Sequence, residues 1–520
     1  MFISRSRFRQ AAFTAKLDYM AGKLEVERKY EVPVDFALPP LTGIGGVASV
    51  GDADDQRLDA TYYDTPTLRL ARGRVTLRRR TGGNDAGWHL KRPSGGDRSE
   101  LQVPASGRQT KPPTAVTAQV RALSRGEALQ PVARIRTHRV ERALRAADGS
   151  TVALVADDSV NTESLHGSRP ERQWRELEIE LVDGSRSALD DLDAALRAAG
   201  ARPAQSPSKL AQALGDDYPA APPGPGKVSA LAAYLRDQRD AIVEHDPGVR
   251  DGDAESVHKM RVATRRLRST IRSFAPLLPA GTDLNRLHDE IKWLTGILGE
   301  VRDGDVMGER LAGAVAAEPP ELVLGPVAAR IQQLLAGRVA AARERLVAGL
   351  DSRRYTDLLV ELDAFVDATA AGPRTSRKEL MRRAGQALRR ADRRLAAAEH
   401  TPEEAPTHLG HERRDERLHE SRKAYKRARY AAELVAPIAG GRATKLADRL
   451  TDLQDVLGAH QDSIVTGDLL RELALQAYAA GENAFTYGLL HARQHEHGLL
   501  ALNDLPKARR RAAKAARKLY

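Results

Sequence analysis

The 520-residue chain contains no cysteine, which excludes disulfide bonds and thiol catalysis. Aromatic residues make up only 4 %, and Tyr425 and Tyr430 are the few beside a basic stretch, so a base-stacking surface for specific nucleic-acid recognition is lacking. A phosphate backbone would still be attracted nonspecifically. No apolar run approaches the ~20 residues that a membrane helix requires, and the Arg-containing opening lacks the apolar core of a signal peptide. No nucleophile motif is present either. These absences point to a cytoplasmic protein with no membrane partner and no specific nucleic-acid partner, whose chemistry rests on charge.

Charge is plentiful. Lys plus Arg number 82 against 70 Asp plus Glu, a formal charge of +12. That favours polyanionic partners, although solubility alone also accounts for a mild excess. The length exceeds one ordinary core and predicts two or three domains. Residues 218–227, Tyr-Pro-Ala-Ala-Pro-Pro-Gly-Pro-Gly-Lys, break helix and strand alike. Period-two segments dominate before them, and long 3.6-period stretches of Ala, Leu and Arg follow. The expected organisation is a loose leader over 1–22, a strand-rich domain over 23–217, a linker over 218–227 and an all-helical domain over 228–520.

Near the start, Leu24-Glu25-Val26-Glu27-Arg28-Lys29-Tyr30-Glu31 sets Glu25, Glu27 and Lys29 on alternate positions, hence on one face of a β-strand. Bare carboxylates roughly 7 Å apart on a strand repel by about 2 kcal/mol at an effective dielectric near 20. A hard divalent ion with oxygen ligands would relieve that, and Lys29 beside it suits a polyanion sharing the metal. The competing reading is a solvated edge strand with ordinary charges. A second run, Trp174 to Leu181, sets Glu176, Glu178 and Glu180 opposite Leu177 and Ile179. Between the two lie Arg78 and Arg80, Lys91, Arg98 with Glu100, and Arg134 with Arg136, all in period-two segments. A sheet face carrying all of these cannot be an apolar core. It lines a wet cavity.

Glu25-x-Glu27-x-Lys29, Tyr62-Tyr63-Asp64-Thr65-Pro66, Leu77-Arg78-x-Arg80, Leu90-Lys91-x-Pro93, Arg98-x-Glu100 and the late Glu-x-Glu-x-Glu together resemble the CYTH, or triphosphate tunnel metalloenzyme, family over about residues 20–215. The resemblance implies an eight-stranded antiparallel β tunnel with flanking helices, in which basic residues grip a triphosphate and glutamates hold Mg²⁺ or Mn²⁺. It assigns phosphate oxygens to Lys29, Arg78, Arg80, Lys91, Arg98, Arg134, Arg136 and Lys209, and the metal to Glu25, Glu27, Glu178 and Glu180, with Glu100 and Glu176 as additions. Glu25, Glu27, Lys29 and Arg80 carry the catalytic expectation, a phosphoryl transfer needing little covalent chemistry from the protein. Sequence leaves open which of Asp157 and Asp158 points inward.

The helical half is duplicated. His258-x-x-Arg261-x-x-x-Arg265-Arg266-x-Arg268 returns 161 residues later as His419-x-x-Arg422-Lys423-x-x-Lys426-Arg427-x-Arg429. In the first copy His258, Arg261, Arg265, Arg268 and Arg272 form a stripe opposite Met260, Ala263, Leu267, Ile271 and Phe274. In the second, the stripe is backed by Ala424, Ala428, Ala431 and Val435. Each ridge is followed by an apolar helix with a similar ending, a turn at Leu298-Gly299 to Asp303 and again at Leu457-Gly458 to Asp462. Two pseudo-twofold-related helical bundles, about 228–366 and 376–520, would bring the ridges together near the axis. Converging charge demands a ligand.

This pattern resembles the CHAD domain over roughly residues 228–520 and implies binding of inorganic polyphosphate by His258, Arg261, Arg265, Arg266, Arg268, His419, Arg422, Lys423, Lys426, Arg427 and Arg429. The competing reading, i,i+4 ion pairs on a solvated face, has almost no interleaved acid to draw on. His258 and His419 have no His-x-x-x-His partner to make zinc sites. The tail over 507–518 reads as a basic helix. The whole chain is thus expected to be a metal-dependent triphosphatase of inorganic or related triphosphates with a polyphosphate-binding module. The alternative is a catalytically weak polyphosphate-binding or granule-associated protein.

Overall fold

The computed structural model describes residues 23–94, 97–105, 109–167, 170–220, 229–399 and 408–520. The chain forms two compact units, Met1–Pro222 and Pro223–Tyr520. The expected leader over 1–22 and the linker beyond residue 220 lie outside the described residues.

The first unit is built on antiparallel strands β1 (Lys23–Glu25), β2 (Glu27–Val32), β3 (Ser49–Val50), β4 (Asp54–Asp64), β5 (Thr76–Thr81), β6 (Gly87–Ser94), β7 (Asp97–Val103), β8 (Gln130–Arg145), β9 (Thr151–Ser164), β10 (Arg172–Leu181) and β11 (Arg202–Pro203). The order is β1-β7-β6-β5-β4-β8-β9-β10-β2-β11, with β3 beside β8. Only Val26 separates β1 from β2, yet Glu25 of β1 pairs with Arg98 of β7 while Lys29 of β2 pairs with Glu178 of β10. One interrupted strand therefore joins the two ends of the sheet. Setting aside the two-residue strands, the wall is an eight-stranded closed tunnel, as expected. Closure leaves no unpaired edge.

Alternation decides what each face does. Leu77, Trp88, Leu90 and Leu101 point outward under the short helices α1 (Arg69–Arg72), α2 (Thr114–Gln119) and α3 (Arg121–Ser124). Tyr30, Val32, Leu177 and Ile179 do the same under α4 (Arg186–Ala198), whose Leu189, Leu192 and Leu196 are buried on them. Ser185 caps α4 by accepting from the Ala188 amide. Helix α5 (Lys209–Leu214) packs on the opposite face, setting Leu210, Ala213 and Leu214 against Ala60, Tyr62, Ala133, Ile135 and Val160. It covers part of the tunnel's inner surface.

The second unit contains α6 (Ala230–Asp251), α7 (Ala254–Phe274), α8 (Leu284–Ala316), α9 (Val327–Asp351), α10 (Arg353–Ala371), α11 (Arg377–Glu399), α12 (His408–Ala439), α13 (Gly441–Ala479), α14 (Phe485–Leu502) and α15 (Leu505–Leu519). Helices α6–α10 and α11–α15 repeat one succession of neighbours, first on second, second on third, third on fourth, and α7 touches α12. The apolar stripes of α7 and α12 are buried as the periodicity predicts. The supposed turns after Leu298 and Leu457 are not turns. Helices α8 and α13 run straight through Gly299 and Gly458 to Ala316 and Ala479, because a glycine inside a helix costs only about 1 kcal/mol against alanine and does not end it.

Leu192 is fully buried between α4 and the outer wall. Leu192→Ala should lower the stability of the tunnel unit by about 3 kcal/mol, measured by urea unfolding followed through Trp88 and Trp174 fluorescence; a loss below about 1 kcal/mol would contradict this packing.

Candidate functional site

The inner wall of the tunnel carries charge where strand parity turns side chains away from both outer cores. Glu27 and Lys29 come from β2, Tyr62 from β4, Arg78 and Arg80 from β5, His89 and Lys91 from β6, Arg98 and Glu100 from β7, Arg139 and Glu141 from β8, Asp158 from β9, and Glu176, Glu178 and Glu180 from β10. Lys209, the first residue of α5, enters from the helix that covers this face.

At the centre the Lys209 ammonium lies 2.8 Å from Asp158, 2.6 Å from Glu176 and 2.8 Å from Glu178. Lys29 donates to Glu178 at 2.5 Å and stands 3.4 Å from Glu27. Arg139 forks onto Asp158 at 2.8 and 2.7 Å and reaches Glu178 at 2.6 Å. All three carboxylates are buried. Burial pushes Glu178 up, but Lys209, Lys29 and Arg139 outweigh it and hold its carboxyl well below the ordinary 4.5. Lys209 is likewise held well above the ordinary 10.5, since its carboxylate partners overcome the burial that would lower it.

Across the lumen the balance is different. Burial, Arg78 and Arg139 together bring Arg80 down to about 9, although Asp85 pairs with it. Arg78 donates to the Tyr62 hydroxyl at 3.3 Å. His89 sits 2.8 Å from Glu100, and Lys91 lies 4.0 Å from the same carboxylate. Glu141 is raised by burial and by Asp54, Glu180 and Asp158 around it, against the pull of Arg139. Arg78 and Arg80 thus crowd one wall, while Arg139 is taken up by Asp158, Glu178 and, at 3.8 Å, Glu141.

In the helical unit α7 and α12 present the duplicated ridges. Arg261 lies 2.9 Å from Asp303, and Arg422 lies 3.7 Å from Asp462. A Cβ on Gly299 would stand 3.5 Å from Arg261 Nε, and one on Gly458 3.4 Å from Arg422 Nη2. Both glycines thus lie beside a ridge arginine, at distances that would also admit a methyl group. Glu433 takes both Arg266, at 2.8 Å, and Arg429, at 3.3 Å. Lys423 pairs with Glu420 at 2.9 Å. Among the described residues no acid lies within ion-pair reach of Arg265, Arg268, Lys426 or Arg427. Burial, then Arg265, Arg422, Arg261 and Arg429, bring the Lys426 amine down to about 6.

A family model of the CYTH domain matches residues 23–213, and one of the CHAD domain matches residues 233–471. The chain belongs to the CYTH–CHAD proteins. It is 38 % identical over 518 residues to Uncharacterized protein MT2285 of Mycobacterium tuberculosis (strain CDC 1551 / Oshkosh), covering 96 % of this chain and 98 % of that one. Among solved structures it is similar to PptA from Streptomyces chartreusis, at 21 % identity and TM-score 0.43 over 54 % of this chain and 98 % of that one. It is also similar to the CHAD domain from the plant Ricinus communis, at 28 % identity and TM-score 0.42 over 55 % of this chain and 90 % of that one.

The N-terminal unit is accordingly a triphosphate-tunnel domain, of a family whose members are often triphosphatases or cyclases and depend on a metal. Asp158, Glu176 and Glu178 converge within 4.8 Å of one another, a spacing able to hold a cation. Among the described residues no helix is long and apolar enough to cross a membrane. Of the residues that the sequence assigned to the tunnel, Glu27, Lys29, Arg78, Arg80, Lys91, Arg98, Glu178, Glu180 and Lys209 are brought to the inner wall. The backbone of Glu25 is in place in β1; its side chain lies outside what is described.

Arg134 and Arg136 are not brought there. Their parity is that of Asp59, on the outer surface, where Arg134 pairs with Asp59 at 2.5 Å and Arg136 lies 3.9 Å from Glu163. The inner residues of that stretch are Ala133 and Ile135, apolar because α5 covers them. Arg139, five residues beyond Arg134 and on the inner parity, takes the place expected of the pair. Of the two adjacent aspartates, Asp158 faces inward and Asp157 pairs outside with Arg175 at 2.7 Å. The signal that would have found Arg139 is its cross-strand pairing with Asp158, which no linear pattern contains.

Replacing Lys209 with Met should leave three buried carboxylates short of countercharge and cost the CYTH domain about 3–5 kcal/mol. Glu178, depressed in the folded state, stabilises above its ordinary 4.5 and loses that contribution as pH falls below it. Acid unfolding of the variant, followed by Trp88 and Trp174 fluorescence, should therefore begin at higher pH than that of the wild type. Coincident acid limbs would show that Lys209 does not balance these acids.

Proposed function

We propose that the CYTH domain hydrolyses inorganic triphosphate or a related triphosphate with Mg²⁺ or Mn²⁺, and that the CHAD domain binds inorganic polyphosphate. The observation carrying the first part is the crowding of the buried Arg78 and Arg80 on one wall, where burial, Arg78 and Arg139 bring Arg80 down to about 9 although Asp85 pairs with it. A chain of phosphate oxygens supplies the missing negative charge there. Lys29, Lys91 and Arg98 extend that grip along the lumen, and Lys209 orients the acid floor.

The donor set suits a hard divalent ion, being carboxylate oxygen throughout. Glu27 and Glu180 face each other across β2 and β10, with Glu141 beside them raised by burial and by Asp54, Glu180 and Asp158. Glu25 and Glu178 belong to the same proposed set, although Glu178 already receives Lys29, Lys209 and Arg139. A bound ion would neutralise phosphate charge and acidify a coordinated water. The protein's own part is to hold the phosphates in line, exclude alternative poses and place Arg80 and Lys29 against oxygens that gain charge as the anhydride breaks.

Binding without turnover is a second reading, favoured by the Lys209 ammonium already seated among Asp158, Glu176 and Glu178. Phosphate release from a panel of triphosphates separates the two. Metal-dependent release should fall at least about 100-fold in Glu27→Gln and in Arg80→Ala, the scale seen when one preorganised charge contact is removed. No release by the wild type with either ion would leave the binding reading.

For the CHAD domain the support is the crowding of Arg265, Arg268, Lys426 and Arg427. A polyanion should return a proton to Lys426, whose amine stands at about 6 when the site is free. Polyphosphate affinity should then weaken as pH rises from about 6 toward 9, because binding takes up that proton. Calorimetry in buffers of different ionisation enthalpy should show the uptake, and Lys426→Gln should abolish it. A pH-independent affinity in the wild type would count against this ridge as the binding surface.

A further inference from the structure

The two CHAD repeats are not equivalent at their first helices. Helix α6 carries three arginines against five acids, and its Arg239 and Arg250 are neutralised by Asp240, Asp363, Asp246 and Asp351. Its counterpart α11 carries seven arginines and one lysine against three acids. The two helices hold equivalent places in their repeats, yet only α11 is strongly cationic.

That difference has a place in space. A cavity of about 1030 Å³ lies where α11 meets the end of α7 and the middle of α12, lined by Arg272, Arg389, Arg390, Arg393, Arg394 and Arg427 among others. Arg272 is the last residue of the first ridge stripe, and Arg427 belongs to the second copy. The cavity therefore continues the ridges rather than standing apart from them. Along α7, Arg272 lies about 10 Å beyond Arg265, a step that a phosphate chain can span and a single triphosphate held at the ridge centre cannot fill on both sides. Of the lining arginines, Arg383 and Arg394 meet acids, Glu379 at 3.2 Å and Glu420 at 3.1 Å. Among the described residues no acid lies within ion-pair reach of Arg272, Arg389, Arg390, Arg393 or Arg427. Burial, then Arg394, Arg272 and Arg390, lower the Arg427 guanidinium. Asp392, the acid in the lining, is engaged by the Tyr425 hydroxyl at 2.7 Å.

We infer that this cavity is a second, one-sided subsite for a linear phosphoanhydride chain, which leaves the paired ridges over α11 and makes the CHAD domain prefer long polyphosphate to short. The inference rests on the reading of the ridges as a polyphosphate surface. Arginine forks suit chains of nonbridging phosphate oxygens. No aromatic side chain lines the cavity, so stacked bases have no platform and a single-stranded nucleic acid is disfavoured.

The test compares the full-length wild type, the cavity variant Arg390→Gln/Arg393→Gln and the ridge variant Arg265→Gln/Lys426→Gln. Arg390 and Arg393 are exposed on α11, so their loss leaves the core intact, and Arg390→Lys/Arg393→Lys serves as the charge-preserving control. Long-chain polyphosphate should bind the cavity variant about ten-fold more weakly, with a salt slope shallower by roughly one to two. Inorganic triphosphate should bind it as it binds the wild type, and the lysine control should restore most of the long-chain affinity. Unchanged long-chain binding in the cavity variant, with weakening in the ridge variant, would overturn the subsite and leave the ridges standing. Unchanged binding in both would remove the polyphosphate reading itself. An equal loss for single-stranded DNA of matched charge would show a general backbone site and overturn the assignment to polyphosphate.

Discussion

Charge that cannot reach water has to be balanced inside the protein, and in the CYTH domain that balance is struck at Lys209. Closing the sheet through the interrupted strand β1/β2 puts Asp158, Glu176 and Glu178 on one buried surface. Unpaired, three such carboxylates would cost several kcal/mol each in desolvation. Lys209, Lys29 and Arg139 offset that, and in doing so they tie α5 to the wall. Across the lumen Arg78 and Arg80 stand close together, and Arg80 is brought down to about 9 by burial and by Arg78 and Arg139. A lumen lined by so many charged groups is not complementary to a neutral ligand.

The CHAD domain reaches a comparable state by duplication. Each ridge helix buries its apolar stripe and meets its twin through the opposite side, so cations from two repeats crowd together. Glu433, Asp303 and Asp462 take some of that charge, but around Arg265 and Lys426 the surplus remains. The glycines of the Leu-Gly motif lie beside Arg261 and Arg422 on α8 and α13. The arginines of α11, which α6 does not match, place further cations on one side only.

How much of this was legible depended on whether a feature is local. The alternation in β2, β5, β6, β7 and β10 gave the correct inward face because each of those strands packs apolar residues on an outer layer. It misled at β8, where Arg134 and Arg136 look like the charged inner face. There the inner positions Ala133 and Ile135 are apolar because a helix lies on them, and the inward arginine, Arg139, follows farther along the strand. Adjacent Asp157 and Asp158 carried no local signal at all. The Leu-Gly repeats were visible as a duplication, but their nearness to Arg261 and Arg422 needed the neighbouring helix.

By itself, the sequence determined the two-part organisation, the strand and helix periods, the duplicated ridges and the supply of carboxylates and cations, since these follow from local spacing. Tertiary structure alone decided which charges meet. Sheet closure chose Asp158 over Asp157, α5 delivered Lys209 to three acids, and the packing of α11 on α7 and α12 gathered its arginines into a cavity. Each of these depends on residues far apart in the chain, and the electrostatic energy of a buried group is set by whichever neighbours the fold brings within a few ångströms.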